Sequence, residues 1–380
     1  MPLTDAETAL VAQAAALARE MITPNAARWE RERRIGHEAL TAAVALGLTR
    51  LQVPAAAGGL DASFSCKAQV AEVLAAGDFG FTMSWINTHN VAAKLARDAA
   101  PALAARYLPD LIAARRLGCT ALTEPGAGSD FAAITTRATR VGAGWRIDGA
   151  KAWITNAAEA DVIVLYAQTE PGSGGRGIAG FLVDGRRAGF VRESAFALGG
   201  QHAIGTGGFR LEGYLASDEE LLHPPGQAFK AALGSINGAR TYIAAMCCGM
   251  VGEALRVVRD YGRQRSAFGQ PLADHQGWRW RLAEAASELA ACRLMVAQAS
   301  ALIDAGRNAA PETQLAAAQA KLLATRMADR QLPTLAQAMG AEGLREHHPF
   351  ARHLIGARVA GFVDGSTEML LERICAALPV

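Results

Sequence analysis

About half of the chain's 39 glycines fall in one stretch, residues 118–225, and that unevenness limits the folds open to it. On either side the sequence is rich in Ala, Leu, Glu and Arg. Apolar residues recur there every three or four positions, as in "ETALVAQAAALAREMI" and "PALAARYLPDLIAA", which predicts helices. Between them lie short strand-forming runs, "GWRIDGAKAWIT", "DVIVLYAQT", "GIAGFLVD" and "GGFRLEGYLA", separated by turn clusters. No helical crossovers intervene, so the expected sheet is antiparallel. The expected fold class is α+β and multidomain: an N-terminal α-helical domain over 1–117, a central antiparallel β-domain over 118–225, and a C-terminal domain over 226–380 resembling a four-helix bundle. Two helical layers would flank the sheet. In the last domain Leu282, Leu289, Cys292, Val296, Ala299 and Ile303 mark one face of a long helix, which Gly306 closes before Pro311.

Apolar residues make up 51% of the chain and charged residues 19%, which suits a large core and excludes a disordered chain. The formal charge is only +2 and the signs are interspersed, so neither a nucleic-acid partner nor a membrane surface is expected. The six cysteines form no C-x-x-C pair, and His89, His347 and His348 stand outside any ligand spacing, so no metal is expected. The N-terminus does not read as a signal peptide, and no apolar run reaches the roughly eighteen residues that cross a bilayer. A reduced, cytoplasmic setting follows as an expectation.

Four segments carry chemistry. "LTEPGAGSD", 122–130, packs an irregular turn with hydroxyls and exposed N–H groups suited to an anion or a heterocycle. "KAWITNA", 151–157, places Trp153 and Thr155 on one strand face, where an aromatic plate could lie against a flat group. "RQRSAFGQP", 263–271, offers Arg265 as a phosphate fork or merely as a helix-terminal cation. "FVDGSTEM", 362–369, holds Asp364, which alone reads as a helix cap. "GSGGRG", 172–177, matches a dinucleotide fingerprint but lies between two strands, so it reads as a hairpin turn.

Taken in order with "QAMGAEG", these segments resemble the acyl-CoA dehydrogenase family over nearly the whole chain. The resemblance implies FAD, an acyl-CoA thioester substrate, an electron-transfer flavoprotein or similar acceptor, and a homotetramer. It implies that Thr120, Leu122 and Thr123 border the flavin pyrimidine, and that Gly128 and Ser129 approach the pyrophosphate. Trp153, Ile154 and Thr155 would line the ring system. Arg265, Phe268, Gln276, Gln337, Gly340 and Ala341 would reach the adenine half of FAD in a neighbouring subunit. Ser366 and Glu368 would complete the flavin site, while Ser129, Asn237, Arg240 and Gly365 would hold substrate. Asp364 would be the catalytic base, taking the α-proton while the β-hydrogen leaves as hydride to flavin N5.

The sequence departs from that pattern at the base, where the family's usual residue is Glu. One methylene fewer withdraws the carboxylate by roughly an ångström, a misplacement that can cost on the order of a hundredfold in rate. The other base position used by relatives is Ala239 here, so nothing substitutes for Asp364. A short, branched or alicyclic acyl group is therefore favoured, with bulk and polarity from Trp85, Asn87 and His89 in the acyl pocket. Gly80 stands where a glutaryl-specific relative would carry an arginine, which disfavours a dicarboxylate. The alternative is a flavin-dependent relative of the same fold with another reaction: an oxidase, an enoyl-thioester reductase or an acyl-carrier-protein dehydrogenase.

Overall fold

A computed structural model describes residues 2–378. Six helices come first: α1 (Asp5–Leu17), α2 (Thr23–Glu32), α3 (His37–Ala45), α4 (Phe64–Gly77), α5 (Phe79–Asp98) and α6 (Pro101–Ile112). Eight strands follow: β1 (Gly118–Ala121), β2 (Arg137–Val141), β3 (Gly144–Ile154), β4 (Val162–Gln168), β5 (Ile178–Asp184), β6 (Phe190–Arg192), β7 (Gly207–Ser217) and β8 (Leu221–His223). Then come α7 (Ala228–Gln264), a small hairpin of β9 (Ser266–Ala267) and β10 (Gln270–Pro271), and α8 (Gln276–Asp304). The chain ends with α9 (Pro311–Ala338), α10 (Phe350–Phe362) and α11 (Thr367–Cys375).

The main sheet runs β6-β7-β3-β2-β4-β5-β8, with β1 alongside β4. It is antiparallel except at β4, which takes β1 parallel over four residue pairs and meets β2 parallel at Arg137 and Gln168. The parallel pair needs no helical crossover because the β2–β3 hairpin returns the chain. "GSGGRG" does join two antiparallel strands, β4 and β5. β4 is buried along its whole length. Its alternate residues divide between two cores: Val162, Val164 and Tyr166 meet α5 and α6, while Ile163, Leu165 and Ala167 meet Phe181, Phe209 and Tyr214.

The helices do not form two separate layers around the sheet. One continuous core runs from Ala14 in α1 through Leu74 in α4 and Met246 in α7 to Ala360 in α10. α4 lies so close to α7 that a Cβ at Gly249 would meet the carbonyl of Glu72 at 2.0 Å. Asp304, at the end of α8, accepts from the N–H groups of Phe64 (2.6 Å) and Ser65 (3.1 Å), satisfying the open start of α4. Two helices are long and apolar enough to cross a membrane by length and composition, contrary to the sequence expectation: α7, mostly buried in this core, and α8, mostly open.

Candidate functional site

Two differently built walls carry the predicted residues. The first is in the β-domain. Glu124, in the middle of "LTEPGAGSD", is buried and closes that loop on itself. Its carboxylate accepts from the Thr135 N–H and hydroxyl at 2.7 Å each and from the Thr136 N–H at 2.9 Å. Lys151, the first residue of "KAWITNA", donates to Glu124 Oε1 and to the Leu122 carbonyl, both at 2.9 Å. Burial opposes the charge on Glu124, but the Lys151 ammonium and these hydrogen bonds hold its pKa down to about 2. One buried ion pair thus locks two sequence motifs together. Asn156 secures the other end, donating to the carbonyls of Ser84 in α5 and Gly118 in β1 at 3.1 Å each.

That frame presents an open surface. β3 is irregular between Lys151 and Ile154, and Trp153 sits at φ 61°, so the segment is not a regular alternating strand. Trp153 is nevertheless 59% exposed, propped edge-on by the Phe196 ring at 4.8 Å. Thr120, Leu122, Thr123 and Thr155 are half-buried around it, Ile154 packs inward, and Ser129 is exposed. A Cβ at Gly126 would meet nothing within 4 Å, and one at Gly128 only Thr123 Cγ2 at 3.9 Å. Neither glycine has a positive φ, so both supply room rather than an unusual turn. Room and an uncovered aromatic are what a flat cofactor with a phosphate tail requires.

The second wall is helical and centres on Asp364. The residue that caps α11 is Ser366, whose hydroxyl accepts from the Met369 N–H, so Asp364 is free of that task. Asp364 stands at φ 53°, in the left-handed region, between α10 and α11. Three hydrogen bonds from two cations hold it there. Arg240 Nε, on α7, donates to the Asp364 carbonyl at 3.1 Å. Lys321 Nζ, on α9, donates to the carbonyls of both neighbours, Val363 and Gly365, the latter at 2.6 Å. Gly365 has φ 100°, and a Cβ there would come within 3.2 Å of Arg240 Nη2. Asp364 keeps some accessible surface although protein surrounds it, so its carboxylate faces a recess rather than open solvent. Burial raises its pKa, and Lys321 and Arg240 only partly offset that. A raised carboxylate pKa makes a stronger proton acceptor.

From this wall the recess continues to α5. Tyr242, two residues beyond Arg240, lies in the field of Asp364, and its hydroxyl accepts from Asn90 Nδ2 at 3.2 Å. Along this part of α5, Asn87 and Asn90 are partly open and the residues around them are buried. Trp85 and His89 stack at 5.9 Å inside the core, where His89 Nδ1 pairs with the Thr49 carbonyl, so neither shapes the recess. Gly80 also points elsewhere: a side chain there would meet Asp78, Gln201 and Ile204.

Other predicted residues lie elsewhere. Asn237 is buried and donates one of its two amide N–H groups to the Asn308 carbonyl at 2.8 Å. Glu368 is exposed in the first turn of α11. Arg265, Phe268, Gln276, Gln337, Gly340 and Ala341 gather, all exposed, at the far end of the bundle. Trp278 makes that grouping, filling the space beside Gly262 and donating to the Ala338 carbonyl at 2.9 Å. Near them His347 and His348 do meet a carboxylate, Glu342, with possible ligand atoms within 4.8 Å of one another.

Lys321, Glu124, Asn156, Tyr242 and Asn90 were not singled out from sequence. Lys321 had a signal: one cation on an apolar stripe of Ala317, Ala320 and Ala324.

Comparison with known proteins agrees with this fold. Residues 4–115, 119–214 and 226–378 match the N-terminal, middle and C-terminal domains of acyl-CoA dehydrogenases. The chain is 31% identical to a short/branched chain specific acyl-CoA dehydrogenase of Rattus norvegicus, over 94% of this chain and 82% of that protein. It is 30% identical to a glutaryl-CoA dehydrogenase of Desulfococcus multivorans, over 92% and 90% respectively. The structure of butyryl-CoA dehydrogenase from Megasphaera elsdenii superposes with a TM-score of 0.91 at 26% identity, covering 99% of both chains. The fold and the two walls define an FAD-dependent oxidoreductase acting on CH–CH groups. The chain belongs to the acyl-CoA dehydrogenase family.

Proposed function

We propose that the protein is an acyl-CoA dehydrogenase that converts a short, branched or alicyclic acyl-CoA to its 2-enoyl thioester, with Asp364 as the base. The observation that carries this reading is the hold on Asp364: an acid in a left-handed conformation, backbone-pinned by Arg240 and Lys321, with its pKa raised by burial. Such a carboxylate is oriented and basic enough to take an α-proton. Its own N–H, fixed with the same backbone, can donate to the thioester carbonyl as enolate character develops. When bound, FAD supplies the acceptor for the β-hydrogen. Thr120, Leu122, Thr123, Gly128, Ser129, Trp153, Ile154, Thr155, Ser366 and Glu368 would hold its flavin half. Asn87, Asn90 and Tyr242 make the inner recess polar, which suits a short acyl group better than a long apolar chain.

The adenine half requires a second copy. Arg265 directly follows the end of α7, 25 residues beyond Arg240 and so roughly 37 Å away at 1.5 Å per residue. An extended flavin dinucleotide beside Asp364 does not span that separation. Phe268 is 99% exposed, and α8 leaves Trp280 and Leu294 open, which supports the homotetramer of this reading. The reading includes a cytoplasmic enzyme that passes electrons to an electron-transfer flavoprotein or similar acceptor. Anaerobic mixing of the yellow holoprotein with a panel of acyl-CoA thioesters is the test. Bleaching of the flavin by short or cyclic members is expected. A flavin that no thioester bleaches overturns the reading, and rapid reoxidation by oxygen marks an oxidase instead.

A further inference from the structure

Three lysines lie deep in the protein: Lys67 on α4 is 5% exposed, Lys151 1% and Lys321 0%. A buried ammonium ordinarily needs an opposite charge. Lys151 has Glu124 at 2.9 Å, and Lys321 has the field of Asp364 as well as two carbonyls. Lys67 has neither: among the described residues no carboxylate lies within 4.0 Å of its Nζ. It donates to Gln52 Oε1 at 3.0 Å and Asn90 Oδ1 at 2.6 Å, so two of its three N–H donors are used. The rings of Tyr242 and Phe64 flank it, with centroids 5.3 and 5.7 Å from Nζ. Burial, reinforced by the Arg97 cation, pushes its pKa down to about 7, as for a charge without a counterion.

The position gives this lone cation a use. Asn90 bonds both Lys67 and the Tyr242 hydroxyl, and Tyr242 lies in the field of Asp364. Hydrogen bonds therefore join Lys67 to Asn90 on α5 and Asn90 to Tyr242, which lies in the field of the proposed base. A thioester whose α-carbon meets Asp364 would direct its acyl tail that way.

We propose that Lys67 anchors an anionic distal group of the substrate, so that the preferred acyl-CoA carries a carboxylate at the end of its acyl chain away from the thioester. This rests on the assignment of Asp364 as base, because that assignment sets which way the acyl group points. The distal carboxylate would accept the third N–H of Lys67 and supply its missing counter-charge. The two amide oxygens and the aromatic flanks orient the ammonium before substrate arrives, so little ordering remains on binding.

The test uses holoprotein with Asp364→Asn, in which turnover is slowed by about 10²- to 10⁴-fold, and follows the immediate shift of the flavin spectrum on titration. A ladder of ω-carboxyacyl-CoA thioesters is compared with unsubstituted thioesters of equal length. Half-saturation about tenfold or more lower for a carboxylated member is expected, as for a desolvated charge pair. With Lys67→Met added, the ratio between the two series should fall to about one. Equal or weaker binding of every carboxylated member overturns the proposal, and this comparison needs no Lys67 variant to fold. A preference that survives Lys67→Met overturns it too. Carboxylate preference in binding, without bleaching of the protein retaining Asp364, would instead retain the anchor and remove the dehydrogenase reading. Absence of any thioester binding overturns both.

Discussion

The β-domain wall and the helical wall of the site hold their functional groups in opposite ways. In the β-domain, nearby stretches of backbone make the surface, and one ion pair, Glu124–Lys151, fixes "LTEPGAGSD" to "KAWITNA". On the helical side, single residues from α4, α5, α7 and α9 converge on one loop and its recess. The first wall is rigid because its charges neutralise each other. The second keeps charges in reserve: Asp364 is ionised only against its burial, and Lys67 has no counterion among the described residues. Where charge is paired the wall is a support, and the proposed base and anchor lie where it is not.

Three substitutions sharpen that contrast. Asp364→Asn has the largest expected effect, a loss of about 10²- to 10⁴-fold in the rate of flavin bleaching by substrate. The fold should not suffer. Because the folded pKa is raised, the native chain binds the proton more tightly than the unfolded chain. Stability is therefore greatest below the unfolded pKa and falls as pH rises through the window up to the folded pKa. The variant loses that decline, so urea unfolding at neutral pH should find it at least as stable as the parent. Marked destabilisation would mean that Asp364 is structural.

Lys151→Met comes next and acts on the other wall. It leaves Glu124 buried and unpaired, which costs about 3–5 kcal/mol. Urea midpoints and retained FAD should fall together. The parent pair also has a sign in pH: a carboxylate held down to about 2 contributes stability above its unfolded pKa, lost as pH falls toward 2. The variant should lose that acid-sensitive component. Ser366→Ala is the smallest, about 1 kcal/mol for a lost N-cap, and should leave the acid limb of the bleaching rate in place. A large change in that limb would return the cap and the base to one function.

The two walls also differ in how far the sequence revealed them. Glycine, proline and hydroxyl density marked "LTEPGAGSD" because a ligand-facing turn needs those residues side by side. The strand order did not follow from pattern alone, and β1 parallel to β4 came from a hairpin return that no periodicity encodes. On the helical side Asp364 stood out only as an acid before a helix. Ser366 two residues later takes the cap, which local pattern cannot apportion between neighbours. Lys67 was invisible, and Lys321 marked only by its apolar stripe, for a different reason. A lone lysine on a helix normally snorkels to water, and only the packing of other helices shows that these two cannot. Trp85 and His89 erred the same way in reverse: helical spacing allowed them to face the pocket, and packing turned them inward.

The single core shared by α1, α4, α7 and α10 bears on the chain's birth as well as its finished form. α4 ends at Gly77, while α7, against which it packs, begins only at Ala228. At the usual pace of synthesis the ribosome needs about 10 to 30 s to cover that gap. During that interval the first helices carry an apolar face with nothing to cover it, and Asp304, which completes the start of α4, is later still. The β-domain, with a core of its own on one face, can close while they wait. Nascent helices awaiting a distant partner are a natural client for chaperones.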